Sequence, residues 1–380
     1  MKATNRKIAT SAVVTLALVA ASCGSDSAEE VIDDAGDNAA EVVDDAEAAA
    51  EDVADDAADV ADTAAETAES VSEEVSEEVA DAEPMKIGLV APSASNDLAW
   101  TQAMFDSLNR VADGRDIEIA VTDGTFVVED AGAAIRGYAE DGFDLVIAHG
   151  TQYGGPLQEI AADFPDVSFA IGTSTDFFGL DNIFAYSVDA GQGGYVNGVM
   201  AAQLTETNNI GVVGPVPAGD AKLYIDGFVA GVEAQDSGVE VNVNYIDSFS
   251  DVLLASEAAK ALVGAGADVL TGSAQMVVGA TGVAAEEGIP WFGSQSNQTG
   301  LGEDVVVVSV VYHWEGLLND VLDKIQAGTL GGEAVSISVA DGGLELEFND
   351  AFGLDADIRA SAESTIAGIG DGSIVVPAGE

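Results

Sequence analysis

Short apolar segments and longer mixed segments alternate along the chain from residue 85 onward. The first apolar segment, 85–90, reads MKIGLV, and this composition predicts a strand. Further apolar segments predict strands at 117–122, 145–148, 168–171, 209–213, 242–246, 269–271, 291–293 and 305–311. The intervening segments predict helices, among them 100–112, 130–138, 193–204 and 252–263. Short apolar strands that helices separate are typical of parallel sheets covered on both faces, which is an α/β fold.

Two parts of this region have similar sequences. DGFDLVIAHG and GAGADVLTGS each read as a helix end, a glycine turn, a buried strand and a polar loop. The region after residue 84 is too long for one such sheet and suits two, so we predict two similar Rossmann-like lobes with parallel sheets and a hinge. We expect lobe 1 to comprise 85–188 plus 312–340, and lobe 2 to comprise 189–311 plus 341–380.

The charge of the chain is strongly negative, with 68 acidic residues against 11 basic ones and a net charge of −57. Such a polyanion is repelled by phosphate backbones, so we expect no nucleic-acid partner. The acidity fits a solvated surface in salty surroundings, where ions screen the repulsion between like charges. Cys23 is the only cysteine and there are two histidines, which excludes an intrachain disulfide and a cysteine or histidine metal cluster. We predict no cofactor and no metal.

The first 23 residues have the pattern of an export signal. Lys2, Arg6 and Lys7 precede an apolar run at 8–21, and Ser22 and Cys23 follow it. The run falls short of the about 20 apolar residues that a membrane-spanning helix needs. Because the sole cysteine stands where cleavage would make it the first residue, 1–23 is predicted to be a lipoprotein signal peptide with Cys23 as the lipidation site. An ordinary signal with an unmodified cysteine is the alternative.

Residues 24–84 form an acidic, low-complexity linker. The segment contains 24 acidic residues and no basic residue. Small and apolar residues recur at alternating three- and four-residue steps, which is the spacing of a coiled-coil seam. The remaining positions are almost wholly acidic, so partner helices would repel each other. We predict a disordered or weakly helical tether that holds the folded region away from the membrane, with a coiled coil as the alternative.

The loops that follow the predicted strands are the expected ligand-binding region, since ligands bind beyond the carboxyl ends of parallel strands. These loops contain amides, hydroxyls, carboxylates and aromatic rings but no basic side chain, and they lie at 93–97, 150–153, 247–251, 273–275 and 294–298. Their composition favours a neutral, flat ligand that forms hydrogen bonds. The sequence contains neither a phosphate-binding Gly-Lys loop nor a Gly-x-Ser-x-Gly nucleophile motif, so we predict that the protein is not an enzyme.

The region also resembles a known family. The resemblance rests on KIGLV, DLAW, FPDVSFAIG, GGYVNGVMAA, NIGVVGPVP, DGFVAGVEA, SFSD, GADVL and VVYHW, in that order between residues 86 and 314. These segments resemble the basic membrane protein family of bacterial ABC-transporter substrate-binding lipoproteins, in its purine nucleoside-binding branch. The resemblance implies the type I periplasmic-binding fold and a small-molecule ligand.

Members of that family hold a purine between two aromatic side chains, and Trp100 and Phe249 match those positions. Asp97 and Asp251 flank the two aromatics and would accept hydrogen bonds from base nitrogens; alternatively, both cap the helices that follow them. Three further residues are candidates for the same pocket: Gln152, Tyr153 and Gln275.

The sequence departs from the family pattern at two ribose contacts. Gln295 and Asn297 lie in the loop where relatives carry an aspartate, and Tyr312 stands near the position of a family lysine. The resemblance therefore implies a purine base, a modified nucleoside or a similar flat heterocycle.

Taken together, these features predict an exported solute receptor that is lipid-anchored on the outer face of the cell membrane. It would pass its ligand to an ABC permease whose ATPase subunits are separate chains. A ligand-sensing receptor of the same fold that acts in signalling, or a sugar-binding receptor, is the alternative.

Overall fold

The computed structural model describes residues 83–377. The predicted signal peptide, the lipidation site Cys23 and most of the acidic linker lie outside the described residues. Within the described part, no helix is both long and apolar enough to cross a membrane.

Strands and helices alternate along the described chain. The strands are β1 Met85–Val90, β2 Ile117–Thr122, β3 Leu145–Ala148, β4 Ser168–Gly172, β5 Ile183–Val188, β6 Asn209–Gly214, β7 Glu240–Tyr245, β8 Val269–Gly272, β9 Trp291–Gln295, β10 Val306–Tyr312, β11 Glu333–Ile337 and β12 Leu344–Phe348. The helices are α1 Trp100–Ala112, α2 Val128–Glu140, α3 Gly154–Asp163, α4 Ala190–Leu204, α5 Gly219–Glu233, α6 Val252–Gly264, α7 Val277–Glu287, α8 Glu315–Gln326 and α9 Ala356–Gly370. Short 3₁₀ helices lie at Thr151–Tyr153, Thr299–Leu301 and Asp350–Phe352.

The strands form two six-stranded sheets with matching topology. The first has the order β11-β5-β4-β3-β1-β2, and the second has the order β12-β10-β9-β8-β6-β7. All neighbouring strands of the first sheet are parallel. In the second sheet only β12 is antiparallel, to β10. The prediction of an α/β fold with two lobes built on parallel sheets is therefore confirmed.

The burial of the central strands explains why their sequences are almost wholly apolar. Every residue of β3 and of β10 is buried, because helices cover both faces of each sheet. The covering helices are amphipathic instead. In α1 the buried side chains Trp100, Met104, Leu108 and Val111 recur at steps of four, four and three residues, which places them on one face.

Helices α4 and α5 pack closely against each other because of their glycines. A Cβ atom on Gly198 would lie 2.1 Å from the carbonyl oxygen of Phe228, and one on Gly231 would lie 2.1 Å from that of Tyr195. Only residues without a side chain permit such contact between helix backbones. This pair of helices fixes the core on one side of the second sheet.

The chain passes between the two sheets three times. It leaves the first sheet after Val188, returns to it after Tyr312, and leaves it again between Ile337 and Leu344. Because the crossings follow strand ends, the carboxyl ends of strands in both sheets border the same cleft. The exact limits of the lobes stay a prediction.

Candidate functional site

A cavity of about 200 Å³ lies between the two sheets. Its lining residues follow the carboxyl ends of strands in both sheets, which is where ligands bind in open α/β sheets. The first sheet contributes Pro92, Trp100, Phe126, Gly150, Thr151, Gln152 and Thr173. The second contributes Ala218, Gly219, Asp220, Ala221, Phe249, Ala274, Gln275 and Gln295.

Trp100 forms a rigid wall of this cavity. Its indole ring stacks on the His149 imidazole, with ring centroids 4.2 Å apart and an interplanar angle of 7°. The indole nitrogen donates a hydrogen bond to the His149 carbonyl oxygen at 3.0 Å, and Nδ1 of His149 lies 2.6 Å from the Tyr186 hydroxyl. Burial lowers the pKa of His149 to about 3, so the ring behind Trp100 is neutral. Trp100 is 6% exposed, so its indole ring is packed on nearly all sides.

Two more aromatic side chains line the cavity. Phe249 follows β7 and brings a half-buried ring from the second sheet. Phe126 follows β2 and is 54% exposed, which is unusual for a phenylalanine. Rings from both sheets thus lie on the same cavity, as the resemblance implied for Trp100 and Phe249.

Amide side chains supply much of the polar lining. Gln275 donates from Nε2 to the Ser93 hydroxyl at 2.8 Å and so joins a loop of the second sheet to a loop of the first. The Ser296 hydroxyl donates to the Ala99 carbonyl oxygen at 2.8 Å, which is a second bond across the cleft. These bonds hold the two sides of the cleft together.

Backbone conformation at the cavity is partly strained. Thr173, Ala274 and Gln295 line the cavity and have φ angles of 57°, 76° and 70°. Residues with a Cβ atom adopt this left-handed region at a cost, and such residues cluster at functional sites. These residues therefore mark the strand ends around the cavity as a candidate functional site.

Asp220 is a cavity residue that the sequence prediction missed. It lies in the first turn of α5, after the loop that follows β6, and its Oδ2 accepts hydrogen bonds from Gln295 Nε2 at 2.8 Å and from the Tyr312 hydroxyl at 3.3 Å. Burial raises the pKa of this carboxyl. Its position in the sequence could have indicated a role in the pocket, because Asp220 closely follows a predicted strand and ligands bind beyond the ends of such strands.

Four residues expected in the pocket lie outside its lining. Asp97 accepts hydrogen bonds from the backbone N–H groups of Ala99 and Gln102 at the start of α1, and Asp251 caps α6 by accepting from the Leu254 N–H. Both carboxylates are engaged by helix ends, as the capping alternative predicted.

Tyr153 and Asn297 are the other two. Tyr153 is fully buried, and its hydroxyl donates to the Thr125 carbonyl oxygen at 2.8 Å. Asn297 is exposed and hydrogen bonds to Glu347 and to the Thr299 N–H. These two residues therefore do not line the cavity, whereas Trp100, Phe249, Gln152, Gln275 and Gln295 are brought together there.

Residues 83–377 contain no cluster of three or more histidine, cysteine, aspartate or glutamate side chains that could hold a metal ion.

Two sheets of matching topology, three crossings and a cleft at the strand ends define the type I periplasmic-binding fold. Residues 85–374 match the family model Bmp, described as PnrA-like ABC transporter substrate-binding proteins. The chain belongs to this family, and the resemblance seen in the sequence is confirmed. The family is one of solute receptors rather than enzymes, and membership implies a small-molecule ligand and permease and ATPase partners.

The individual relatives have low sequence identity to this chain. The transcriptional activator protein med of Bacillus subtilis is 25% identical over 249 residues, which cover 65% of this chain and 77% of that protein. A purine-binding protein of Brucella abortus is 26% identical over 295 residues, covering 77% of this chain and 83% of that protein. The solved structure of an ABC transporter solute-binding protein from Conexibacter woesei has a TM-score of 0.66 at 24% identity, covers 77% of this chain and 99% of that one, and supports the fold.

Proposed function

We propose that this protein captures a purine nucleoside, a purine base or a similar flat heterocycle for an ABC importer. The observation that carries the proposal is the cavity between Trp100 and Phe249, which come from different sheets. An aromatic face stacks on any nucleobase and contributes about 1–3 kcal/mol per base. A relative is named as a purine-binding protein, which agrees with this ligand class.

The size of the cavity favours a small ligand. Its volume of about 200 Å³ is below the roughly 300–1,000 Å³ that is typical of pockets for drug-sized molecules. A single base or nucleoside suits this space better than an oligosaccharide. Both sides of the cleft contribute, so the ligand would be enclosed when the lobes close by hinge motion.

The charge of the lining disfavours anionic ligands. The lining contains Asp220 and neither lysine, arginine nor histidine. A phosphate group would therefore lose its hydration without gaining a cationic partner, and this loss is costly. We infer that nucleosides and bases bind and that nucleotides do not.

We further propose that the mature chain begins at lipidated Cys23 and is held on the outer face of the cell membrane by the acidic linker. The basic, apolar and small residues of 1–23 support an export signal, and the position of the only cysteine supports lipidation. The closed receptor would dock on a permease whose ATPase subunits are separate chains.

The ligand assignment is tested with Phe249→Leu and the matched control Phe105→Leu. Both phenylalanines are half-buried, but Phe105 lies on α1 and does not line the cavity. Isothermal titration calorimetry of the full chain with adenosine, guanosine, adenine and D-glucose should show purine binding that Phe249→Leu weakens about tenfold and Phe105→Leu leaves unchanged.

Other outcomes distinguish the alternatives. Binding of D-glucose without any purine would replace the purine assignment by a sugar-binding receptor. The relative named as a transcriptional activator motivates the second alternative, a ligand-sensing receptor. If the purine-loaded protein pulls down a membrane permease, the result supports import. If it pulls down a signalling protein and no permease, the result supports sensing.

A further inference from the structure

Asp220 differs from the other acidic side chains of the described region. It is 9% exposed and is the one aspartate or glutamate among the buried residues of 83–377. The remaining acids of this strongly acidic protein stay in contact with water, as is usual for carboxylates. A buried carboxylate at a cavity wall therefore needs an explanation.

The hydrogen bonds of Asp220 do not neutralise its charge. Its Oδ2 accepts from the Gln295 amide and from the Tyr312 hydroxyl, and both donors are uncharged. A buried carboxylate is ordinarily paired with a cation, because its desolvation is costly.

A second acceptor beside Asp220 has no partner. Gln295 is 2% exposed, its Nε2 is used by Asp220, and its Oε1 is buried without a hydrogen bond. Both residues line the cavity. An unsatisfied buried acceptor lowers stability, and here it lies beside a buried carboxylate at the same wall of the cavity.

The position of these acceptors within the cavity follows from Tyr312. The Tyr312 ring meets Trp100 edge-on at 6.2 Å, and its hydroxyl contacts Asp220. Asp220 and Gln295 therefore lie toward the Trp100 end, next to the chain crossing that follows β10. A heterocycle stacked in the cavity would direct one of its edges or a substituent toward them.

We propose that Asp220 and Gln295 form a subsite that binds a pair of hydrogen-bond donors on the ligand, and that Asp220 determines specificity for such donors. The ligand is thus neutral or cationic at this end. An amino group beside a ring N–H supplies such a pair, and so do the neighbouring hydroxyls of a sugar ring. This inference rests on the proposed function for the identity of the heterocycle but not for the existence of the subsite.

The test uses Asp220→Asn in the full chain, with Asp236→Asn as the matched control. Asp236 is exposed and follows the other end of the same helix, α5. Calorimetry would measure binding of guanosine, adenosine and their 2′,3′-dideoxy forms. A hydrogen bond to a charged group contributes about 1.5–3 kcal/mol, so Asp220→Asn should weaken binding about tenfold to a hundredfold, while Asp236→Asn has no effect.

The dideoxy compounds identify which donors the subsite binds. If the sugar hydroxyls bind there, the dideoxy forms bind the wild type weakly and lose nothing further in Asp220→Asn. If the base edge binds there, the dideoxy forms retain the full effect of the substitution. Equal affinity of wild type and Asp220→Asn for every nucleoside that binds would overturn the inference.

A sugar separates this inference from the proposed function, because the neighbouring hydroxyls of D-glucose supply a donor pair without a purine. If no purine binds the wild type, the purine assignment fails, and calorimetry with D-glucose decides. Binding that Asp220→Asn weakens at least tenfold supports the subsite, whereas no binding or equal affinity refutes it.

Discussion

The two histidines of this chain should have widely different pKa values, and this difference tests whether the His149 ring is buried behind Trp100. Burial lowers the pKa of His149 to about 3, since its ring is stacked on Trp100 and shielded from water. His313 has the opposite shift, because a hydrogen bond with Glu315 raises its pKa above the ordinary 6.5. With only these two imidazoles, the titration can be assigned without ambiguity.

The magnitude for His149 follows from linkage. A fall from 6.5 to about 3 corresponds to about 5 kcal/mol of unfolding free energy, at about 1.36 kcal/mol per pH unit. The unfolded chain binds this proton more tightly than the folded chain does. The stabilisation is therefore fully present above pH 6.5 and is lost as the pH falls toward 3. For His313 the sign is reversed, so its contribution is present below pH 6.5 and is lost as the pH rises through its folded pKa.

Proton NMR of the imidazole C–H groups between about pH 4 and pH 9 should show His313 titrating while the His149 resonance stays that of a neutral ring, and His313→Gln assigns the remaining resonance. Urea unfolding of wild type and His149→Gln at the same pH values then gives the free-energy difference, which should shrink as the solution is acidified. A His149 resonance that titrates near its ordinary pKa of about 6.5 would refute the buried stack. Trp100 would then lack a rigid support, and a preformed stacking surface could not be assumed.

Two other predictions concern the core and the membrane anchor. Gly198→Ala should lower the free energy of unfolding by about 1–3 kcal/mol, because its Cβ would meet the Phe228 backbone. The control Gly282→Ala lies in a helix with nothing within 4 Å of the added Cβ, so it should raise the free energy of unfolding by about 0.5–1 kcal/mol. Equal effects of the two substitutions in urea unfolding would contradict the close packing of α4 and α5. Cys23→Ser should abolish incorporation of an alkyne-labelled fatty acid and release the protein from the membrane fraction, and retention of the label would show that the anchor lies elsewhere.

Much of the fold could be predicted because central parallel strands have a distinctive composition. The bounds predicted for β2, β3 and α1 agree with the structure. Three strands were absent from the prediction for physical reasons. β5 follows β4 without a helix between them, so it departs from the alternation. β11 and β12, at the sheet edges, read EAVSI and LELEF and mix charged with apolar residues because one face meets water.

The candidate site was less predictable because long-range contacts decide which polar residues face the cavity. Asp97 and Asp251 lie in the right loops, but the free N–H groups at a nearby helix start engage their carboxylates. Asp220 also lies at a helix start, where its carboxyl is engaged by the backbone of Ala221, but its Oδ2 additionally accepts from side chains 75 and 92 residues further along the chain. Local sequence does not distinguish these aspartates, since the difference arises from how the second sheet brings the ends of β9 and β10 close to the start of α5.

The net charge of −57 acts on ligands while they approach the protein, whereas the composition of the cavity acts on ligands that have entered it. Surface carboxylates repel anions in bulk, but salt screens this repulsion beyond about 8–10 Å, so the surface mainly lowers the encounter rate of anionic solutes. Inside the cavity, water no longer screens charge, and a single carboxylate without a cationic partner outweighs the distant surface charges. Asp220 therefore discriminates between ligands that the surface charge treats alike, such as neutral molecules with and without hydrogen-bond donors. Substitution of Asp220 should therefore change which ligands the cavity binds, while the strongly negative charge of the whole protein stays nearly the same.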